Sequence, residues 1–427
     1  MRIPIARFPG RPPRIGSHAG SVLVAAGLAL TGCVAGPAQI APTPPAWTPI
    51  ALNPLPASAS PTVTDTLALP GTLLPTLAPI APISDADWVR GPAAASITLL
   101  VYSDYQCATC ADLDAVITRL QQLHPEDIRY VFRSFPLLTL YDKTSLATQA
   151  VASAATQGQY WRMHDLLFSR RSEWAALTPD LFTSWLAGAA QAAGLDADQL
   201  AEDLATRRYE PFVADAYNRA VAEGIPGAPF LFFNRDLMLF PPTLENLEAN
   251  VRLTLLAGRQ FDSYPPFALE PGTDYHARLR FNIGEVTLDL FEDTAPLAVN
   301  SFIFLAENDW FDGTPVYRVV RGQYLEAGDP TGTGFGTPGY AFELETSPAR
   351  TFNRAGVVGI ASDDPATLGS RFFISLTSLP LFDSTRTILG EVTSGLDRLE
   401  ALTTRDPLTE LLLEPEAVIL DVVIEAR

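Results

Sequence analysis

Residues 311–334, FDGTPVYRVVRGQYLEAGDPTGTG, decide how the second half of this chain folds. The stretch opens on a Gly-containing turn, passes through the alternating run Val316-Tyr317-Arg318-Val319-Val320, and ends in the loop Gly328-Asp329-Pro330-Thr331-Gly332-Thr333-Gly334. Alternation with a period of two predicts a strand, and the glycines and proline around it predict tight turns. Arg318 is left on one face of that strand.

About forty residues on comes Gly369-Ser370-Arg371-Phe372-Phe373-Ile374-Ser375. Together the two runs resemble the cyclophilin family of peptidyl-prolyl cis/trans isomerases, and the resemblance extends from about Tyr275 to the C-terminus. The sequence around them agrees. A strand over 277–281, a turn at Asn282-Ile283-Gly284 and a strand over 285–291 precede a helix that begins Ala295-Pro296. Thr294 is placed to cap that helix, since proline is tolerated in a first turn, and Phe302 and Leu305 form its buried side. Short strands and glycine turns then continue to a last strand over 418–424, as in a closed antiparallel barrel. The resemblance implies eight strands flanked by two helices, in a domain over residues 274–427.

Rotation about an X–Pro bond faces a barrier of about 18–20 kcal/mol because the C–N bond has partial double-bond character. The family's solution is an arginine that donates to the prolyl nitrogen beside an apolar pocket for the ring, preorganised electrostatics without covalent chemistry. Arg318 matches that arginine. Phe373 matches the aromatic floor, Phe382 replaces a leucine wall and Tyr324 stands where methionine is usual. Other positions depart from the pattern: Gln323 replaces a phenylalanine, Glu326 and Arg371 replace two glutamines, Ser362 an asparagine and Arg386 a histidine. Half-buried charges want partners, so Glu326 is expected to pair with Arg318 or Arg371. A Glu326 that engages Arg318 fully competes with substrate, which leaves two readings open: an isomerase, or a module that binds proline segments without turnover.

The first globular sequence starts near Asp85. A nearly continuous apolar strand over 97–103 runs into Asp104-Tyr105-Gln106-Cys107-Ala108-Thr109-Cys110, and a helical pattern with Leu113, Val116, Ile117 and Leu120 on one face follows. A strand over 128–135, helical sequence over 145–168 and on to about 223, a strand over 230–234 and a helix over 244–257 complete an α/β thioredoxin fold with a helical insertion. The segments Val131-Phe132-Arg133-Ser134-Phe135-Pro136-Leu137, Trp161-Arg162-Met163-His164-Asp165-Leu166-Leu167-Phe168 and Gly227-Ala228-Pro229-Phe230-Leu231-Phe232-Phe233-Asn234 resemble those of DsbA-like thiol oxidoreductases. That domain spans 85–258, with 259–273 as a linker.

A CxxC at a helix start sets its first sulfur beside unpaired backbone N–H groups, which favour thiolate over thiol. Cys107 is therefore the expected nucleophile and Cys110, one turn on, the resolving thiol; the cofactor would be their redox-active disulfide alone. The competing reading, half of a zinc site, needs two more ligands, and only His124, His164 and His276 follow residue 33. Ala108-Thr109 departs from the Pro-His pair of the strongly oxidising members, so no imidazole is expected beside the thiolate. Pro229 matches the family's cis-proline next to the disulfide.

Residues 1–32 carry Arg2, Arg7, Arg11 and Arg14, no acid, and an apolar run over about 22–30, too short to span a membrane. Leu30-Thr31-Gly32-Cys33 resembles the bacterial lipobox, which implies lipidation of Cys33 and an anchor outside the cytoplasmic membrane; the alternative is an ordinary signal peptide with an incidental cysteine. Residues 33–84 then form a tether, with twelve prolines and one charge, Asp65, over 34–83. The formal net charge of −19 in 427 residues argues against nucleic acid as a partner. The expected partners are unfolded or folding secreted clients, a redox partner protein and, through the lipid, the membrane.

Overall fold

The structure, a computed structural model, describes residues 80–238, 241–362, 364 and 368–427. The expectations for the leader, for Cys33 and for the tether up to residue 79 lie outside the described residues.

The chain opens with strands β1 (Trp88–Arg90) and β2 (Ile97–Ser103), followed by α1 (Ala108–Leu123) and β3 (Ile128–Ser134). Helices α2 (Thr144–Thr156), α3 (Tyr160–Ser169), α4 (Arg171–Trp174), α5 (Pro179–Ala192), α6 (Ala197–Ala205) and α7 (Glu210–Ala222) form the insertion. The domain finishes with β4 (Phe230–Phe233), β5 (Asp236–Leu237) and α8 (Leu244–Leu256). The sheet order is β1-β3-β2-β4-β5, with β2 parallel to β3 and antiparallel to β4. The unbroken apolar run of β2 has a plain cause: Leu99 and Val101 pack in a core with α1, α2, α3 and α8, while Leu100 and Tyr102 pack on the other face with Ala220 and Ile225. Both faces are covered, so neither alternates with polar residues. Where the sequence reads as one helical stretch over 145–168, the chain forms two helices, broken at Gln157-Gly158-Gln159 with Gly158 at φ +71°.

A buried ionic cluster ties residues 81–87 to this sheet. Arg133 donates to Asp87 through Nε at 2.8 Å and Nη2 at 3.0 Å, to Tyr102 Oη at 2.7 Å and to the Ala81 carbonyl at 2.9 Å. Burial alone would raise the Asp87 carboxyl, but the hydrogen bonds from Arg133 and the Ser84 N–H, with the charges of Arg133 and Arg219, hold it below the ordinary range.

The second domain comprises β6 (Tyr275–Phe281), β7 (Gly284–Leu290), α9 (Pro296–Glu307), β8 (Thr314–Pro315), β9 (Arg318–Val320), β10 (Tyr324–Ala327), β11 (Val357–Ile360) and β12 (Phe372–Ser375). It ends with β13 (Ile388–Ser394), the short helices α10 (Leu396–Glu400) and α11 (Pro407–Glu410), and β14 (Val418–Ala426). All pairings are antiparallel, in the order β8-β14-β6-β7-β13-β11-β12-β10-β9. The two end strands are joined by Val316 and Tyr317 alone. Val316 N–H donates to Ala417 at 2.9 Å and Tyr317 N–H to Glu326 at 3.0 Å, so successive amides reach the two opposite ends of the sheet and curl it upon itself. The nine short strands thus contain the eight expected, one of them interrupted between β8 and β9.

Two local expectations change. Thr294 does not cap α9: the Glu345 carboxylate, 48 residues from Leu297, accepts from Leu297 N–H and Ala298 N–H at 2.9 Å each. The side chain does what an N-cap does, and its negative charge suits a helix N-terminus. Residues 259–273 lie on the barrel. Phe261, Tyr264 and Leu269 pack against its core, Tyr264 Oη donates to the Leu297 carbonyl at 2.7 Å and Ala268 N–H to Asn300 Oδ1 at 2.8 Å.

Candidate functional sites

Cys107 is the N-cap of α1, and a disulfide joins it to Cys110 one turn along. Its Sγ accepts from Cys110 N–H at 3.2 Å and from the Thr109 hydroxyl at 3.2 Å. Both donors would stabilise a thiolate after reduction. Thr109 thus supplies a donor to the sulfur that the Ala108-Thr109 pair, notable in sequence for its missing imidazole, does not announce. Both residues are buried, Cys107 3% and Cys110 1% exposed. Pro229 is brought to them: the Ala228–Pro229 bond is cis and the Ala228 carbonyl lies 3.9 Å from Cys107 Sγ.

The loop before the CxxC is organised by Asp104. Its carboxylate accepts from Gln106 N–H and Leu137 N–H at 2.7 Å each and from Thr144 Oγ1. Burial pushes the carboxyl up despite these bonds. The histidines weighed as zinc ligands are engaged elsewhere, His164 with Asp114 and Tyr105, His124 with Glu248. Among the described residues, one group offers donor atoms within 4.8 Å of one another that could share an ion: Asp274, His276 and Asp289.

In the barrel, register assembles the second site. Glu326 on β10 faces Arg318 on β9 on one side and Phe373 on β12 on the other. Period two then puts Tyr324 and Arg371 on the same surface, while Val319, Leu325, Phe372 and Ile374 point into the core. A cleft of ≈ 320 Å³ results, and it gathers Arg318, Tyr324, Glu326, Arg371, Phe373, Phe382 and Arg386. Ser362 also lines it, whereas Gln323 is exposed and does not.

Phe373 and Phe382 meet edge to face at 5.3 Å between centroids, and Tyr324 lies 6.0 Å from each. Fully buried Phe352 stacks beneath Phe373 at 5.2 Å and keeps the floor from collapsing, a role the sequence did not disclose. Arg318 Nε lies 3.3 Å from Glu326 Oε2, an ion pair without hydrogen-bond alignment, so the expected partnership is with Arg318. Arg371 instead donates to the Gly334 carbonyl.

The Gly-rich loop supplies the remaining wall through Gly334 and Phe335. Buried Asp329 holds it, accepting from Thr331 N–H at 2.8 Å, Gly334 N–H at 2.7 Å and Gly336 N–H at 3.0 Å. A Cβ at Gly336 would strike that carboxylate, and Gly334 adopts φ +82°, so both glycines are needed where they stand. Tyr317 beneath the loop is buried, and burial together with the neighbouring Glu326 charge pushes its phenol well up, keeping it neutral.

A curled antiparallel barrel with an arginine over an aromatic floor has the makings of a prolyl isomerase, and the mixed sheet before it is a thioredoxin fold. The chain belongs to the cyclophilin-type peptidyl-prolyl cis-trans isomerase family through residues 276–423, and residues 84–252 match a thioredoxin family. Peptidyl-prolyl cis-trans isomerase-like 1 of Neurospora crassa is 38% identical over 117 residues, 27% of this chain and 72% of that protein. Peptidyl-prolyl cis-trans isomerase A of Mycobacterium tuberculosis is 35% identical over 131 residues, again 27% and 72%. Na(+)/H(+) antiporter NhaA 3 of Salinispora tropica is 31% identical over 175 residues, 41% of this chain and 26% of that protein. This chain therefore spans about a quarter of the antiporter's length.

Proposed function

We propose that this chain is a lipid-anchored extracytoplasmic folding factor, whose barrel catalyses peptidyl-prolyl cis/trans isomerisation while its CxxC domain exchanges disulfides with clients and a redox partner protein. The observation that carries the reading is the single cleft in which Arg318 faces Phe373, Phe382 and Tyr324. Twisting an X–Pro amide localises a lone pair on the prolyl nitrogen. A guanidinium N–H of Arg318 donates to that lone pair, and the aromatic floor holds the ring, so the twisted form gains an interaction the planar form lacks. No bond to the protein forms. In the thiol domain, the Cys107 thiolate attacks a client disulfide, releasing one client thiolate; Cys110 then attacks Cys107 and releases the other. The reverse sequence oxidises a client dithiol.

The anchor follows from Leu30-Thr31-Gly32-Cys33 after the apolar run. Cys33→Ser is expected to yield soluble or unprocessed protein, and wild type found unlipidated by mass spectrometry would remove the anchor. Among the described residues no helix is long and apolar enough to cross a membrane. A second reading is favoured by one contact, the Glu326 carboxylate 3.3 Å from Arg318: a cleft that grips proline segments and supports the thiol domain without turnover. A peptide isomerisation assay decides. Acceleration by wild type supports catalysis; tight binding of proline peptides without acceleration supports the binding module.

A further inference from the structure

The prolyl cleft differs in sign from the molecule that carries it. The chain has 48 acidic and 29 basic residues, yet the charged side chains lining the cleft among the described residues are Arg318, Arg371, Arg386 and Glu326. Glu326 and Arg318 face one another in register and largely cancel. Arg386 donates to the Thr385 carbonyl at 3.1 Å, with its guanidinium 5.5 Å from the Phe382 ring. The hydroxyl of cleft-lining Ser362 donates to the backbone carbonyl of exposed Asp364 at 2.7 Å.

Arg371 decides the matter. It is half-buried, two residues before Phe373 on the same face, and one of its Nη atoms donates to the neutral Gly334 carbonyl. No carboxylate among the described residues forms an ion pair with it. A guanidinium carries five N–H donors, so most of its fork and its whole charge remain available to whatever enters the cleft. The Gly334 bond also restrains the side chain beforehand, so less freedom is lost when a second partner arrives.

We infer that Arg371 makes the cleft selective for prolines flanked by an acidic residue, the client carboxylate closing an ion pair on the guanidinium. This rests on the cleft being a proline site, as proposed above, and adds the class of client segment. Exchanging a flanking Glu for Lys turns attraction into repulsion, so a preference of about tenfold is expected even for a partly exposed pair.

The test uses the full chain with peptides Ala-Xaa-Pro-Phe and Ala-Ala-Pro-Xaa, where Xaa is Glu, Ala or Lys, measuring both Kd and kcat/KM. Glu should be favoured over Lys about tenfold at one of the two positions, and the ratio should shrink as salt rises. Arg371→Gln should bring the ratio close to one, Arg371→Lys should retain most of it, and Arg371→Glu should invert it. A wild-type ratio near one, or a ratio that survives Arg371→Gln, overturns the inference and leaves Arg371 as a brace for Gly334. Charge-ranked binding without acceleration sinks the isomerase reading and supports the selectivity; acceleration without charge ranking does the opposite.

Discussion

On the proposed isomerase reading, the Arg318 guanidinium has to serve substrate and Glu326 together. The ion pair at 3.3 Å misses hydrogen-bond alignment, so Glu326 holds the charge in place without taking the Nε–H. If the twisted amide draws on that guanidinium, Arg318→Ala should lower kcat/KM by a factor of roughly 10²–10³ while peptide binding largely survives. Arg318→Lys should also be poor, since an ammonium lacks the planar fork. Glu326→Gln should raise turnover; a fall would mean that the carboxylate positions the arginine and does not restrain it. At Cys107 the corresponding quantity is thiolate stability. Alkylation of reduced protein across pH should reveal one fast cysteine with an apparent pKa below about 8.5, the ordinary thiol value. Thr109→Ala should move that midpoint upward by removing the hydroxyl 3.2 Å from Sγ, and an unmoved midpoint would assign the stabilisation to the helix N-terminus alone.

Among the elements, those whose signal is local were legible and those fixed at a distance were not. β2 occupies 97–103 as its apolar run predicts, and α1 ends at Leu123, because burial on both faces or one is written into consecutive residues. The cap of α9 was misassigned, since Thr294 stands beside the helix in sequence while Glu345 reaches it from another segment. The cleft residues were legible through the cyclophilin resemblance, and the register of β9, β10 and β12 accounts for how Arg318, Tyr324, Glu326 and Phe373 come together; Phe352 beneath them comes from a loop that neither the resemblance nor any periodicity marked. The Arg133 cluster is another long-range device and gives an element-scale prediction. Its side chain and that of Asp87 are 3% and 1% exposed, so Asp87→Asn leaves a buried cation with only the more distant carboxylate of Glu223, 3.6 Å from Nη1, and should cost about 3 kcal/mol in urea unfolding. The Asp87 carboxyl is depressed in the fold, so its contribution is complete above the unfolded value near 3.8 and is lost as pH falls through the lower folded value. Acid unfolding of Asp87→Asn should therefore show a shallower pH dependence below about 4 than wild type.

For the whole molecule, the proposed activities, disulfide exchange and proline isomerisation, address two slow steps of folding from one chain, and the segment between the two domains packs on one of them. Residues 259–273, expected as a linker because they fall between the two resemblances, are packed: Phe261 lies edge to face on Phe304 at 4.8 Å and Tyr264 on Tyr340 at 5.6 Å. Asn300 anchors the same strap, donating to the Pro266 carbonyl at 3.2 Å and accepting from Ala268 N–H. A barrel cut at residue 274 loses these contacts and exposes the face of α9 beneath them. Two partly buried aromatics are worth about 1–2 kcal/mol each, so residues 274–427 should be about 3 kcal/mol less stable than 257–427. That corresponds to a Tm lower by roughly 6–12 °C for a domain of this size. Equal midpoints for the two fragments would show the strap to be a passive connection. If the shorter fragment melts early, an isomerase assay on it would read weak activity from instability, so the longer fragment is the one on which Arg318 and Glu326 should be judged.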